Sequence, residues 1–417
     1  MAQTDLTVLF VHHDFPAQYQ GLLGHYLKQP GVRVCAIRDA GQAAPVPGVI
    51  DAPYHAFGQP PAGLHPLAKN IEEQIRRGAA AMDAAKRLRR RGLSPDLIFA
   101  HPGWGEALFL QDIFPEARLI CYCEHHYARG RGEADFDPEY PLPQYHWPTV
   151  RLQNTAGLLA LTASTLGVSP TAWQRQGYPP EFRSKIEVVH EGVDTDLVRP
   201  DPSARLRLPA AGLDLGPDDE VVTYAARDLE PYRGFHVFIR ALPELLSLRP
   251  NCRVLVIGRD DVSYGLRLPG GQTYRERYTG NLSLDPARVH FLGALPYAEY
   301  LTALAVSSCH VYLTYPFVLS WSALEAMAAG CLLVGSDTEP VREVVAHGIN
   351  GFLVDFFDHE ALARTVADVL ASRRQLPHIR ALARETVLTR YDRNRVCLPA
   401  HVRLAERVLD GEFDAAP

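Results

Sequence analysis

The first half of the chain carries continuous apolar runs separated by longer stretches with helical periodicity. The runs occupy residues 6–11, 32–37, 97–100, 118–123, 157–161 and 186–189. A short continuous run is typical of a strand covered on both faces, as in a parallel sheet. Strands that alternate with helices therefore predict an α/β domain with helices on both faces of its sheet.

The second half repeats this pattern. Its apolar runs occupy residues 221–227, 253–258, 289–293, 310–314 and 331–335, and the last amphipathic helix is predicted over residues 391–409. A stretch rich in Pro, Asp and Gly between the two halves is predicted to be a linker. We expect a first domain at residues 1–198, a linker at 199–218, a second domain at 219–392 and a C-terminal helical segment at 393–417.

The composition limits the class of protein. The 417 residues are 47% hydrophobic and 22% charged, with a net charge of −6, which disfavours a nucleic-acid binder. Apolar runs fall short of the roughly 20 residues that cross a bilayer, so we expect a cytoplasmic protein. The seven cysteines follow no disulfide pattern and are expected to be reduced and buried.

Polar and aromatic side chains follow three predicted strands of the first domain. They are His13, Asp14, His101, Trp104, Glu106, Glu124 and His125. Ligands of open α/β sheets bind at the carboxyl ends of the strands, so these residues are candidates for contact with a substrate. Residues 101–106 either contact a sugar or form a turn in which Glu106 starts a helix. Cys121 and Cys123 lack a second ligand pair for zinc, so we predict no metal.

Residues 127–147 have no clear period and are predicted to form a long loop. Its aromatic residues are Tyr127, Tyr140, Tyr145 and Trp147. They could stack on a sugar as part of a substrate lid, or they could anchor the loop in the core.

The stretch from Tyr315 to Gly330 predicts a tight loop and a helix that begins near Ser320 or Ser322. A helix that starts after a buried strand presents free backbone N–H groups, which suit a phosphate. The alternative is local, because Ser322 and Glu325 have the spacing of a capping box.

Two arginines follow the first strand of the second domain, Arg227 at its end and Arg233 at the start of the next helix. Cations stabilise a pyrophosphate leaving group, which gains negative charge as its bond to a sugar breaks. No Asp-x-Asp metal motif stands at a plausible strand end, and together with this the arginine pair indicates that no metal is required. The alternative is two surface arginines paired with Asp228 and Glu230.

Three segments carry a family resemblance: Leu-Glu-Ala-Met-Ala-Ala-Gly at 324–330, Pro-Val-Arg-Glu-Val-Val at 340–345 and Gly-Ile-Asn-Gly-Phe-Leu-Val at 348–354. Their order resembles the C-terminal half of the family 4 nucleotide-sugar glycosyltransferases, which are retaining enzymes of the GT-B fold. The resemblance implies two Rossmann-like domains that face each other across a cleft, with a C-terminal helix that crosses back to the first domain.

The resemblance also implies roles for single residues. Arg227 and Arg233 would bind the donor pyrophosphate, and Glu325 would contact the ribose hydroxyls; these three are the catalytic candidates. The remaining donor-binding candidates are Phe291, Leu292, Phe317, Leu319, Ser320, Trp321 and Ser322. Phe317 occupies the position of a family glutamate that contacts hydroxyls of the transferred sugar, so this contact does not carry over.

The implied function is transfer of a sugar from a nucleoside-diphosphate sugar to a hydroxyl of a glycan or lipid-linked acceptor. We expect retention, no metal and no cofactor, and a role in cell-surface polysaccharide or glycoconjugate synthesis. If the reaction inverted instead, Glu124, His125 or Asp14 would be the base to test. The basic end of the helix predicted at residues 70–92 is either a solvated face or a weak contact with anionic lipid.

Two other functions stay open. One is a catalytically silent GT-B protein that binds nucleotide or glycan as the partner of a working transferase, for which Phe317 is the support. The other is a GT-B sugar-nucleotide epimerase or hydrolase, which would turn over the donor without an acceptor. A Rossmann dehydrogenase is disfavoured, because no predicted strand is followed by Gly-x-Gly-x-x-Gly.

Overall fold

The computed structural model describes residues 6–55, 58, 61–143 and 146–413. They form two compact units. The first contains the chain up to Gly192 and again from Arg393 onward, and the second contains Val193–Asp392. The predicted loop residue Tyr145 lies outside the described residues.

The first unit is built on a seven-stranded parallel sheet in the order β3-β2-β1-β4-β5-β6-β7. The strands are β1 (Leu6–Val11), β2 (Val32–Asp39), β3 (Ile50–Tyr54), β4 (Leu97–Ala100), β5 (Arg118–Tyr122), β6 (Leu166–Ser169) and β7 (Ile186–Val188). The helices are α1 (Gln20–Tyr26), α2 (Lys69–Arg90), α3 (Leu110–Ile113), α4 (Trp147–Gln153), α5 (Thr155–Ala163), α6 (Ala172–Gly177), α7 (Pro180–Arg183) and the C-terminal α15 (Leu398–Leu409).

Both faces of this sheet are covered, which explains its continuous apolar runs. Leu9 and Val11 of β1 belong to the core under α2, whose alanines approach the sheet closely. Val8 and Phe10 point to the opposite core, where α1 and α15 pack. The C-terminal helix thus completes the hydrophobic core of the first unit, as predicted.

One predicted strand of this sheet is wrong. Residues 157–161 lie inside helix α5, and strand β6 follows at Leu166–Ser169. A run of Ala, Leu and Gly fits a buried helix as well as a buried strand, so periodicity alone does not separate them. Thr162 and Ser164 therefore lie at the end of a helix, where the Ser164 hydroxyl donates to the carbonyl of Leu161 at 2.8 Å.

The second unit has a six-stranded parallel sheet in the order β12-β11-β10-β13-β14-β15. Its strands are β10 (Val221–Asp228), β11 (Arg253–Arg259), β12 (Val289–Gly293), β13 (Cys309–Tyr312), β14 (Leu332–Ser336) and β15 (Phe352–Val354). Its helices are α8 (Phe235–Leu248), α9 (Tyr274–Thr279), α10 (Tyr297–Ala305), α11 (Trp321–Ala328), α12 (Glu339–Arg342), α13 (His359–Ser372) and α14 (Pro377–Arg390). Both sheets start at a central strand and place the next two strands on one side of it.

The boundary between the units differs from the predicted one. Half of the predicted linker, residues 199–218, forms an antiparallel hairpin of β8 (Leu206–Leu208) and β9 (Leu213–Leu215). Its leucines pack against buried residues of the second sheet, so the hairpin belongs to that unit. Its Pro, Asp and Gly residues serve the turns of a small folded element rather than a flexible connection.

The described residues contain no helix that is long and apolar enough to cross a membrane. All seven cysteines are buried, as predicted, and none of them forms a disulfide in the described part of the chain.

Candidate functional site

Arg233 is the centre of the candidate site in the second unit. Pro231–Arg233 form a short 3-10 turn after β10, and Gly234 follows with φ +66° before α8 begins. The turn buries the Arg233 side chain, which is only 8% exposed. Its Nη1 donates to the Tyr312 hydroxyl at 3.2 Å, the Thr314 hydroxyl at 2.8 Å and the Val318 carbonyl at 2.9 Å.

All three of these acceptors are uncharged. The guanidinium also lies 5.6 Å from the ring centroids of both Tyr264 and Phe317, which are favourable but neutral neighbours for a cation. A buried charge is costly unless an opposite charge compensates it. Arg233 is thus a buried cation prepared for an anion.

The neighbouring carboxylates are engaged elsewhere. Asp228 makes a bidentate pair with Arg259, at 2.8 and 3.0 Å, and accepts a bond from the Ser263 hydroxyl. The Glu230 carboxylate accepts the backbone N–H groups of three consecutive residues, 263–265. Burial raises the pKa of Glu230, and those N–H groups oppose the rise. The alternative in which Asp228 and Glu230 pair with Arg227 and Arg233 is therefore wrong for Arg233.

Arg227 lies at the end of β10 with an exposed side chain. Its backbone position places it on the same strand end that leads into the Arg233 turn. An exposed guanidinium at this point can reach a ligand without leaving a buried position.

Phe317 lies in a cluster of aromatic rings. Its centroid is 5.0 Å from that of Tyr264 and 5.7 Å from that of Tyr232. Tyr232 in turn lies 4.8 Å from Tyr315. The side chain that replaces the family's glutamate therefore supplies an apolar wall next to the Arg233 guanidinium.

Helix α11 begins where the sequence predicts. Ser320 is the N-cap, and its hydroxyl accepts the backbone N–H of Ser322 at 3.4 Å. The backbone N–H of Ser320 donates to the hydroxyl of Tyr312, which also accepts from Arg233. The Tyr312 hydroxyl thus accepts hydrogen bonds from both the start of α11 and the Arg233 guanidinium. Trp321, the first residue of α11, is half-exposed.

The predicted capping box between Ser322 and Glu325 is wrong. The two carboxylate oxygens of Glu325 instead accept the hydroxyls of Tyr297 at 2.6 Å and Tyr300 at 2.8 Å, both from α10. Burial raises the pKa of Glu325, while the two tyrosine hydrogen bonds lower it. The sequence analysis missed both tyrosines, because their partner lies more than twenty residues further along the chain.

The other donor-binding candidates divide into two groups. Leu319 is buried in the core around α11. Phe291 and Leu292 are half-buried on β12, and the Arg275 guanidinium lies 4.1 Å from the Phe291 ring centroid. The structure does not bring this edge strand into contact with Arg233. Among the described residues, no cluster of His, Cys, Asp and Glu could hold a metal ion.

The first unit gathers most of its candidates at the carboxyl ends of β1, β4 and β5. His101 Nε2 lies 3.2 Å from Glu124 Oε2, and the Gln18 amide donates to the other Glu124 oxygen at 3.2 Å. Burial raises the pKa of Glu124, but the hydrogen bond and charge of His101 outweigh it, so the net pKa is lowered. Gln18, which lies in a short 3-10 helix at Ala17–Tyr19, was not predicted, because a single amide carries no sequence signal.

Aromatic rings surround this pair. Trp104 is 44% exposed, and its centroid lies 5.1 Å from that of His13 and 6.3 Å from that of His101. An open pocket of about 530 Å³, part of which is open solvent, is lined by His101, Trp104, Glu124, His125, Tyr127 and Asn154, among others. Asp14, which follows His13 in the chain, is exposed, and its backbone N–H donates to the His12 ring.

Glu106 departs from its predicted contact with a sugar. The side chain is 1% exposed and accepts the Tyr54 hydroxyl at 2.5 Å, with Arg77 Nη1 at 3.8 Å. Burial raises the pKa of this carboxyl group. Gly105, at φ +111°, packs against the Gln74 backbone of α2 and turns Glu106 inward. His125 pairs with Glu133 at 3.0 Å, a loop residue that the sequence analysis did not single out.

The arginines at the end of α2 are exposed, which fits the alternative of a solvated helix face. Arg87 and Arg89 donate to the carbonyls of Pro53 and Ile113, at 2.5 and 3.0 Å. A contact with lipid stays a prediction.

Comparisons with known proteins agree with this architecture. The model of the glycosyl transferase family 4 group matches residues 30–198, and the model of glycosyl transferases group 1 matches residues 212–386. Two similar relatives are D-inositol 3-phosphate glycosyltransferases. The one from Segniliparus rotundus is 29% identical over 49% of this chain, and the one from Streptomyces avermitilis is 31% identical over 45% of it. The matches span 42% and 39% of those relatives' own lengths.

Solved structures match over nearly the whole chain. Anabaena HepE in complex with UDP and glucose covers 96% of it with a TM-score of 0.66 at 18% identity, and all of HepE is covered. Sucrose-phosphate synthase from Thermosynechococcus elongatus covers 97% with a TM-score of 0.70 at 17% identity, again over its full length. At this identity the matches establish the fold, which is GT-B. The two family models, which between them match most of the chain, show that it belongs to the family 4 glycosyltransferases.

Proposed function

We propose that this protein transfers a sugar from a nucleoside-diphosphate sugar to a hydroxyl of a glycan or lipid-linked acceptor. The observation that carries the proposal is Arg233, a buried cation whose hydrogen-bond acceptors are all neutral. A pyrophosphate supplies the missing negative charge and several acceptor oxygens. The relatives' names support the same reaction class.

In the proposed reaction, the bond between the anomeric carbon and the pyrophosphate oxygen breaks, and its electron pair stays on the phosphate. Arg233 and Arg227 stabilise this growing charge. The acceptor oxygen forms the new bond to the anomeric carbon on the face that the phosphate leaves, and the departing phosphate oxygen takes the proton of the acceptor hydroxyl. The configuration is therefore retained, and no enzymic base is needed. The arginines take the role that a metal plays in other transferases, and no cofactor takes part.

The nucleoside is assigned to the start of α11 and to Glu325. With its oxygens already bound by Tyr297 and Tyr300, Glu325 is held in one orientation and has lone pairs left for ribose hydroxyls. The acceptor is assigned to the pocket beside Trp104 and His101 in the first unit. A half-exposed indole next to polar side chains suits a sugar ring, and the product would be part of a cell-surface polysaccharide or glycoconjugate.

Calorimetric titration of UDP, GDP and ADP, without metal, tests the donor site. HepE structures contain UDP and UDP-glucose, so the uridine nucleotides come first. We expect one nucleotide to bind the native protein, and its affinity to fall about tenfold or more in Arg227→Ala and in Glu325→Ala. The matched control is Arg364→Ala, an exposed arginine of α13 that pairs with Glu244 and Glu360. If no nucleotide binds, or if all variants bind equally, the assignment fails.

An assay of nucleoside-diphosphate release distinguishes a transferase from the other candidate functions. Release of nucleoside diphosphate that depends on an added acceptor supports a transferase, and full activity in EDTA supports metal independence. Release without acceptor would favour the hydrolase or epimerase, and binding without any turnover would favour the silent partner. The anomeric configuration of the product, read by NMR, tests retention.

A further inference from the structure

The loop between β11 and α9 is fastened beside Arg233. The Glu230 carboxylate, three residues before Arg233, accepts the backbone N–H groups of Ser263, Tyr264 and Gly265 at 2.7–3.2 Å. The Asp228 carboxylate accepts the Ser263 hydroxyl as well. Two buried carboxylates of one turn therefore hold this loop in a defined position.

The loop directs the Tyr264 ring to the cation. The ring centroid lies 5.6 Å from the Arg233 guanidinium carbon, 5.0 Å from the Phe317 centroid and 6.0 Å from the Tyr232 centroid. Phe317 is buried, whereas Tyr264 is 38% exposed. Tyr264 is thus the most exposed of these three rings next to the Arg233 guanidinium.

The covalent structure of the donor fixes what lies next to its pyrophosphate. The transferred sugar is joined to the distal phosphate through a single oxygen, so a phosphate on Arg233 brings the sugar within reach of the surrounding rings. Sugar rings carry C–H faces that pack on aromatic surfaces. The neighbouring surface is built largely from the aromatic rings of Tyr232, Tyr264, Tyr315 and Phe317.

We propose that Tyr264 is a specificity-determining residue that stacks its ring on an apolar face of the transferred sugar. The inference rests on the proposed function and adds the class of sugar: one with a continuous C–H face or an apolar substituent, selected by packing on Tyr264 and Phe317. Binding of the nucleoside diphosphate itself depends on Arg233 and Glu325 and not on Tyr264.

The test compares each nucleoside diphosphate with its sugar conjugates by calorimetry. The pairs are UDP with UDP-glucose and UDP-N-acetylglucosamine, GDP with GDP-mannose and GDP-fucose, and ADP with ADP-glucose. We expect Tyr264→Ala to weaken the best-bound conjugate about tenfold and to change the affinity of the matching diphosphate less than about twofold. Tyr264→Phe keeps the ring and should bind both as the native protein does.

The matched control for disturbance of the loop is Leu266→Ala, because Leu266 is 69% exposed in the same loop. It should bind both ligands normally. Equal loss of diphosphate and conjugate in Tyr264→Ala would make the ring part of the phosphate site and overturn the inference. Tighter diphosphate binding in Tyr264→Ala would mean that the ring blocks access to Arg233. Unchanged binding of both ligands would mean that Tyr264 does not contact the donor. If the native protein binds no diphosphate, the proposed function itself fails.

Discussion

The two units have the same order of strands around their first strand, but the connection after that strand differs in chemistry. After β1 the chain runs through His12, His13 and Asp14, and the buried ionisable groups nearby are paired within the unit, as His101 is with Glu124. After β10 it runs through Asp228 and Glu230, which hold a loop, to Arg233, whose acceptors are neutral.

The shared strand order provides the scaffold of each unit, and the charges at the strand ends decide what each unit can bind. The topology places the start of a helix at the carboxyl end of a central strand in both units. Charge balance then decides which end is prepared for an anion, because an uncompensated buried charge is costly until a ligand arrives. By this criterion the second unit offers the anion site, and the first offers a more polar, aromatic pocket.

The largest expected effect tests the turn that positions Arg233. Gly234 has φ +66°, and an added Cβ would overlap Leu313. We expect Gly234→Ala to lower the free energy of unfolding by about 3 kcal/mol, from backbone strain and overlap together. Urea denaturation measures it. Gly212→Ala has a similar φ of +67° but open space around it, so it should cost only about 1 kcal/mol. Equal costs would contradict the role of Leu313.

The second prediction removes the cation that distinguishes the units. Arg233→Ala should weaken the bound nucleoside diphosphate about 100-fold, or ~2.7 kcal/mol, because a buried charge-assisted contact is lost. Calorimetry measures the loss, and Arg233→Lys should recover part of it. A native affinity in Arg233→Ala would break the comparison, since the second unit would then bind the anion without its buried charge.

The third prediction concerns the buried carboxyl of the first unit. Tyr54→Phe removes the hydroxyl that Glu106 accepts at 2.5 Å, leaving a poorly satisfied buried group. We expect a loss of about 2 kcal/mol in the free energy of unfolding, with unchanged nucleotide binding. Adding Glu106→Gln removes the buried charge and should restore part of the stability. If catalysis were lost while the stability stayed unchanged, Glu106 would instead be a residue that contacts the substrate.

The smallest expected effect is the contribution of Glu124 to the pH dependence of the free energy of unfolding. Its pKa is lower in the folded protein than in the unfolded chain, so ionised Glu124 stabilises the fold above the unfolded pKa. This contribution is lost as the pH falls through the folded pKa. Because the side chain is partly exposed, Glu124→Gln should cost less than ~1 kcal/mol at neutral pH and flatten the acid limb of the stability curve. Exposed Glu181→Gln, the control, should leave the acid limb steep.

Local signals in the sequence predicted most strands of both parallel sheets, the start of α11 near Ser320 and the candidate pair of arginines, but not β3, β6 or β15. Apolar runs and helix caps are local signals, and they persist whatever the rest of the chain does. They also sufficed for the C-terminal helix, whose amphipathic pattern fits the core of the first unit. The family motifs at residues 324–354 added the class of protein.

Only the tertiary structure decided which groups meet. Residues 157–161 became a helix, because packing rather than periodicity separates a buried helix from a buried strand. Glu106 turned to Tyr54, Glu325 to Tyr297 and Tyr300, and the predicted linker folded into a hairpin. Such partners lie far apart along the chain, and their contact depends on the register of whole elements. Burial then fixes which charges are balanced, and Arg233 is a buried cation with three neutral hydrogen-bond acceptors.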